Sequence, residues 1–292
     1  MADSQHRNLL DELSLLGRLH LQVRRLIEAA ELGGHAARGL GGGGDFIEHR
    51  AWRSGDEMHR VDWRASARGD QLLLREQRAE RRLQLRLLID SSASMVSGEP
   101  VSKWRYSCWL ALALAYAAKR AGDSVELFAG GGDSNAKMRF RSLSELDLRA
   151  EELEQFAASG GTDLASATGV LCSGSSRGLL VVVSDLLQAD DAFWQALASQ
   201  RQRGWHIVVL RVLAGDELKF ETQGAVRFEG LEGEASLVVD AGAMRSAYLD
   251  ELQRFDGECA EGAASAGARL VLCDTSANPL GPLRQLLEEQ LP

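Results

Sequence analysis

Cysteine is scarce here, and its spacing is uninformative. The four residues, Cys108, Cys172, Cys259 and Cys273, lie far apart with no Cys-x-x-Cys pair. That excludes a zinc ribbon or a disulfide framework and predicts free core thiols in a reducing compartment. Long apolar runs are absent too. None approaches the ~20 residues of a membrane span, and the run Leu179 to Val183 suits a buried strand. The first residues, MADSQHRNLLDE, are polar and acidic and lack the apolar core of a signal peptide. A soluble, cytoplasmic protein without a membrane span is the expectation. A basic excess is also missing. Residues 1–86 hold 15 Lys+Arg against 13 Asp+Glu, a balance of +2, while the rest of the chain stands at −11. Nucleic acid is therefore not an expected partner. The histidines at 6, 20, 35, 49 and 59 show no ligand spacing.

What is present is a regular alternation, sufficient in 292 residues for a large core. Leu9, Leu13, Leu16, Val23, Leu26, Ile27 and Ala30 follow helical spacing over 8–32, and Gly33-Gly34 ends that helix. The stretch GLGGGGDF (39–46) reads as a flexible connector, because a phosphate loop needs a strand before it and a helix after it. Residues 46–80 read as irregular and polar, with a short strand at Leu72–Leu74. From about residue 84 strands and helices alternate. Strands are expected at 83–90, 123–130, 137–141, 178–187, 205–213 and 269–275. Helices are expected at 103–122, 142–158, from Thr162 onward, and at 190–204, 243–267 and 280–291. A hairpin interrupts the pattern within 214–241. The fold class is α/β: a doubly wound, mostly parallel sheet with helices on both faces. The expected division is 1–80, an N-terminal helix with an irregular or β segment, and 81–292, the α/β domain with its hairpin insertion.

Three strand ends carry oxygen donors. The first is LRLLIDSSASM, with Asp90, Ser92 and Ser94. The second is the GGTD turn, with Thr162 and Asp163, and the third is Ser184-Asp185. In doubly wound sheets sites form at the carboxyl ends of strands. Carboxylates with hydroxyls, and no His or Cys, suit a hard cation such as Mg²⁺ or Mn²⁺. The competing explanation is local: serines after a strand often cap the next helix, and a strand-end Asp can bind backbone amides.

The set Asp90, Ser92, Ser94, Thr162 and Asp185 resembles the metal-ion-dependent adhesion site of von Willebrand factor A domains: D-x-S-x-S, a separated Thr and a separated Asp. The segment 41–68 is similar to the signature of the DUF58 family. Phe46, Arg50, Gly55, Asp56, Arg60, Asp62, Trp63, Ala67 and Arg68 match it, with Trp52 in place of the usual Tyr and Glu57 in place of a second Asp. The resemblance covers roughly residues 35–275. It implies a von Willebrand factor A-like domain with no catalytic residues, serving as an adaptor or chaperone-like partner of a MoxR-type AAA+ ATPase. It also implies Mg²⁺ held by Ser92, Ser94 and Thr162, with Asp90 and Asp185 acting directly or through water, and a partner carboxylate completing the shell. Arg50, Asp56, Arg60, Asp62, Trp63 and Arg68 are expected either to form a recognition surface or to be an Asp–Arg network anchored by Trp63. The alternative function is an Mg²⁺-dependent phosphohydrolase with Asp90 as nucleophile, although position 92 is Ser where a D-x-D motif needs Asp.

Overall fold

The computed structural model describes residues 18–32, 47–53, 61–69, 71–77, 83–131, 134–174, 177–220, 225–228 and 237–288, with single positions at 9, 13, 16, 56 and 58. Helix α1 spans Leu19–Leu32. Strands β1 (Ile47–Ala51) and β2 (Leu73–Gln77) pair antiparallel, with the single turn α2 (Trp63–Ser66) between them. Then follow β3 (Gln84–Asp90), α3 (Lys103–Arg120), β4 (Ser124–Gly131) and β5 (Ser134–Phe140). Next are α4 (Leu146–Gln155), α5 (Leu164–Leu171), β6 (Gly178–Ser184), α6 (Asp191–Gln202) and β7 (Trp205–Leu213). The chain continues through α7 (Gly215–Lys219), the antiparallel pair β8 (Ala225–Phe228) and β9 (Leu237–Asp240), α8 (Ala241–Ser265), β10 (Arg269–Asp274) and α9 (Leu280–Glu288).

Among the described residues the main sheet has six strands in the order β10-β7-β6-β3-β4-β5. All neighbours run parallel except β5, which is antiparallel to β4 at the edge. The expected doubly wound α/β architecture is therefore the observed one. Apolar residues fill both faces because helices cover both. On β3, Leu85, Leu87 and Ile89 face the cluster shared with α1, α3, α4 and α9, whereas Leu88 faces α5, α6 and α8. Burying each of these leucines contributes about 2 kcal/mol. Helix α3 supplies the floor of the first cluster. Ser102 caps it by accepting from the Arg105 N–H, and Gly122, at φ 87°, follows its end.

Helix α1 is tied to this core by a buried amide. Gln22 donates to the Leu13 carbonyl and accepts from Arg105 Nε (2.8 Å) and Trp109 Nε1 (3.0 Å). Trp109 is fully buried in the core, as expected, whereas Trp104 is only partly buried and packs against the core's margin, stacked on Phe156. The continuous helix expected over 8–32 is interrupted: Leu9 and Leu13 are helical, Leu16 and Arg18 are not, and the helix resumes at Leu19. The short strand expected at Leu72–Leu74 is part of β2, and the otherwise irregular segment also holds β1, with a further bridge from Val61 to Leu74. IEHRA carries no alternating apolar pattern, so strand pairing rather than periodicity makes it a strand. The glycine-rich 39–46 stretch lies outside the described residues. Among the described residues no helix is long and apolar enough to cross a membrane.

Candidate metal centre at the strand ends

Strand β3 lies between β4 and β6, so the chain leaves it toward one edge of the sheet and later returns on the other side. The loops after β3 and β6 diverge there, which opens a crevice at their carboxyl ends. Asp90 is the last residue of β3 and is fully buried. Its Oδ1 accepts the Ser92 N–H at 2.9 Å, and its Oδ2 accepts the Ser184 hydroxyl at 2.6 Å. Burial raises its pKa above the ordinary carboxylate value. The hydrogen bonds from Ser184 and Ser92 oppose that rise, and the nearby charge of Asp185 adds to it.

Ser92 and Ser94 turn their hydroxyl oxygens toward each other at 3.0 Å. Ser92 opens a 3-10 turn (Ala93–Val96), yet its side chain makes no capping bond there. The cap of α3 is Ser102, so helix capping does not account for the two serines. Thr162 donates its hydroxyl to the Gly130 carbonyl at 2.6 Å, and its N–H donates to Gln188 Oε1. The same carbonyl accepts the Ser91 N–H, so Gly130 of β4 stitches two of the site loops together. A Cβ on Gly130 would lie 2.5 Å from the Phe128 ring, so only glycine fits without movement. Asp163, in the same turn, caps α5 through the Ser166 N–H and is exposed. That places it outside the centre.

Asp185 departs from the expected pattern. It is fully buried, and its Oδ1 accepts the Leu187 N–H at 3.1 Å. Its Oδ2 accepts Lys103 Nζ at 2.8 Å, and the same ammonium donates to Glu217 Oε1 at 2.7 Å. Burial works against the charge on Lys103, but Asp185 and Glu217 outweigh it and hold the pKa above the ordinary lysine value. The strand expected to run to 187 ends at Ser184. Leu186 takes a left-handed φ of 65°, unusual for leucine, and its N–H donates to the Ser184 hydroxyl. That turn seals Leu186 in the core and leaves Leu187 exposed.

Asp90, Ser92, Ser94, Thr162 and Asp185 thus gather at one end of the sheet. Lys103, Ser184, Glu217 and Gly130 join them without having been anticipated. For Lys103 a signal existed: a basic residue opens α3, where the helix dipole disfavours positive charge and no acidic residue occupies the first turn. Among the described residues no group of three or more His, Cys, Asp or Glu could hold a metal ion. A cation here would depend on hydroxyl oxygens, and those of Ser92, Ser94 and Thr162 retain free lone pairs. The donor types fit Mg²⁺ or Mn²⁺.

The 50–68 segment behaves differently. Asp62 caps α2 by accepting the Arg64 and Ala65 N–H groups, and Asp56 accepts the Arg53 N–H at 2.7 Å. Trp63 is 59% exposed, so it is not the buried anchor expected of it. Arg68 is exposed as well, Arg60 lies outside the described residues, and of Arg50 only the backbone is described, in β1.

Three solved structures resemble the fold in part. BatB from Bacteroides thetaiotaomicron, a conserved hypothetical protein, is 16% identical, with 71% of this chain and 98% of that chain covered and a TM-score of 0.48. An aerotolerance-related membrane protein from Bacteroides fragilis is 16% identical, with 70% and 98% covered and a TM-score of 0.45. The SpRpn10 VWA domain is 13% identical, with 70% and 94% covered and a TM-score of 0.41. No curated protein matches the chain. Residues 48–256 match the family described as "Protein of unknown function DUF58", and the chain belongs to that family.

Proposed function

We propose that this protein is a metal-dependent protein-interaction module, an adaptor or chaperone-like partner of a MoxR-type AAA+ ATPase, and not an enzyme. The observation that carries the reading is the pair of serine hydroxyls beside a fully buried Asp90, with no structural use for them in capping. Asp90, Ser92, Ser94 and Thr162 would hold Mg²⁺ or Mn²⁺. The bound cation would supply a Lewis-acidic position open to a carboxylate from the partner. Mg²⁺ favours about six oxygen ligands, more than this set offers, which leaves room for that group. Two exposed apolar side chains, Val96 and Leu187, stand on the two flanking loops and suit contact with a protein.

The phosphohydrolase reading finds less support. The fold does bring a lysine to the site, but Lys103 is buried and engaged by two carboxylates. Asp90 has both oxygens in hydrogen bonds and no exposed surface, a poor setting for a nucleophile.

The test is capture of partners by the full chain in Mg²⁺, in EDTA, and with Asp90→Ala. An AAA+ ATPase retained only by the wild type in Mg²⁺ is the expected result. The same ATPase in all three arms would move recognition away from the cation, and turnover of a phosphate ester abolished by Asp90→Asn would sink the adaptor reading.

A further inference from the structure

We infer that Lys103 is the permanent counter-ion of Asp185, so that Asp185 is a positioning residue and a divalent cation at this centre rests on one carboxylate, Asp90, together with hydroxyls. The metal half of this inference rests on the reading above. The counter-ion half does not.

Both oxygens of Asp185 have donors, as those of Asp90 do, but here one donor is charged: Lys103 Nζ sits on one oxygen and the Leu187 N–H on the other. Metal–oxygen bonds of about 2.1 Å on the same carboxylate would put a divalent ion within ~5 Å of a buried ammonium. Lys103 cannot easily give way. Its side chain is 1% exposed, and Glu217 holds the ammonium from α7. Glu217 is itself fixed, because its second oxygen accepts the Ala214 N–H at 2.8 Å. The Lys103 backbone is also held, with its N–H on the Ser97 carbonyl and its carbonyl on the Ser107 hydroxyl.

Charge gives the arrangement a purpose. Asp90, Asp185, Glu217 and Lys103 sum to −2 when ionised, which one divalent cation neutralises. An acidic partner group then approaches a centre with no net negative charge. Without the lysine the loaded centre would keep a negative charge and repel that partner.

The experiment uses the full chain and two readouts. The first is Mn²⁺ binding, followed by the spectroscopic signal of free Mn²⁺. Asp90→Asn is expected to weaken binding at least ~100-fold, Asp185→Asn to weaken it only about tenfold, as the loss of one nearby charge and not of a ligand, and Lys103→Met to tighten it about tenfold. Asp185→Asn weakening Mn²⁺ as severely as Asp90→Asn would overturn the inference, since Asp185 would then be a ligand. The second readout is thermal unfolding in EDTA. Lys103→Met is expected to lower Tm by roughly 10 °C, and the double variant Lys103→Met/Asp185→Asn to recover more than half of that. A Lys103→Met protein that melts with the wild type, or a double variant no more stable than the single, would equally overturn it. If the wild type binds no Mn²⁺, the metal reading of the previous subsection fails, and the melts alone decide whether Lys103 is the counter-ion.

Discussion

Asp90 and Asp185 end up in the same crevice, at the carboxyl ends of neighbouring parallel strands, both fully buried. Their surroundings differ in kind. Asp90 receives a hydroxyl and a backbone amide, neutral donors that stabilise its charge without cancelling it. Asp185 receives an ammonium. One carboxylate is left short of a positive charge and the other is supplied with one by the fold. Residue type alone therefore does not make a ligand: the electrostatic deficit that a metal would fill is at Asp90, and the serine hydroxyls stand there too.

The sharpest way to break this contrast is to neutralise each aspartate in turn without metal. Asp185→Asn strands Lys103 with only Glu217, and it should cost about 3 kcal/mol in chemical denaturation with EDTA. Asp90→Asn removes a buried charge that lacks a cation and should be neutral or stabilising by up to about 1 kcal/mol. The sign with pH follows from the raised pKa of Asp90. A folded-state pKa above the unfolded one means that wild-type stability is lost as pH rises through that window, so the Asn variant should gain most in alkali and nothing in acid. If the two variants lose stability equally at every pH, the aspartates are equivalent and the contrast is wrong.

A second prediction acts on the Asp90 side alone. Gly130→Ala forces a Cβ against Phe128 and displaces the carbonyl that holds Ser91 and Thr162. A loss of about 2 kcal/mol is expected. Mn²⁺ binding should weaken with it, while the Lys103–Asp185 contact has no reason to change. Unaltered metal binding in a destabilised Gly130→Ala protein would remove Thr162 from the proposed ligand set.

Much of this was legible in the sequence. Strand β7 spans the nine residues expected of it, because an apolar run bounded by Gly204 and Ala214 has no competing reading. Asp90, Ser92, Ser94 and Asp185 were legible because they stand at the ends of β3 and β6, and parallel strands deliver their ends to one side of a sheet, whereas Thr162 follows α4 and a loop and not the strand end expected of it. Lys103 was not, because the partner that explains it lies 82 positions away and meets it only when α3 packs beneath β6. Its weak mark was a cation at the wrong end of a helix. The end of β6 was misplaced because Leu186 and Leu187 extend the apolar pattern, whereas the Ser184 hydroxyl draws the Leu186 amide into a turn. Residues 47–51 were missed for the opposite reason: a strand that, among the described residues, pairs with β2 alone needs no apolar alternation of its own.

The smallest expected effect comes from the far end of the sheet and tests whether a buried carboxylate short of positive charge is always a cost here. Asp123 lies in the turn between α3 and β4, where its Oδ1 accepts the Leu83 N–H at 2.9 Å and its Oδ2 is buried without a hydrogen-bond donor. Burial pushes its pKa up to about 6, against the pull of the Leu83 amide and of Lys119. Unlike Asp90 it has no cluster of hydroxyls around it that could share a metal. Its cost should accumulate as pH rises from the ordinary carboxylate value to about 6 and stay constant above that. Asp123→Asn keeps an acceptor for Leu83 and should stabilise the protein by about 1 kcal/mol at neutral pH. The gain should vanish on acidification, and Mn²⁺ should leave it untouched. Urea midpoints across that pH range, with and without Mn²⁺, are the measurement. A gain that Mn²⁺ erases at Asp90 but not at Asp123 separates a carboxylate kept for a cation from one the fold merely tolerates.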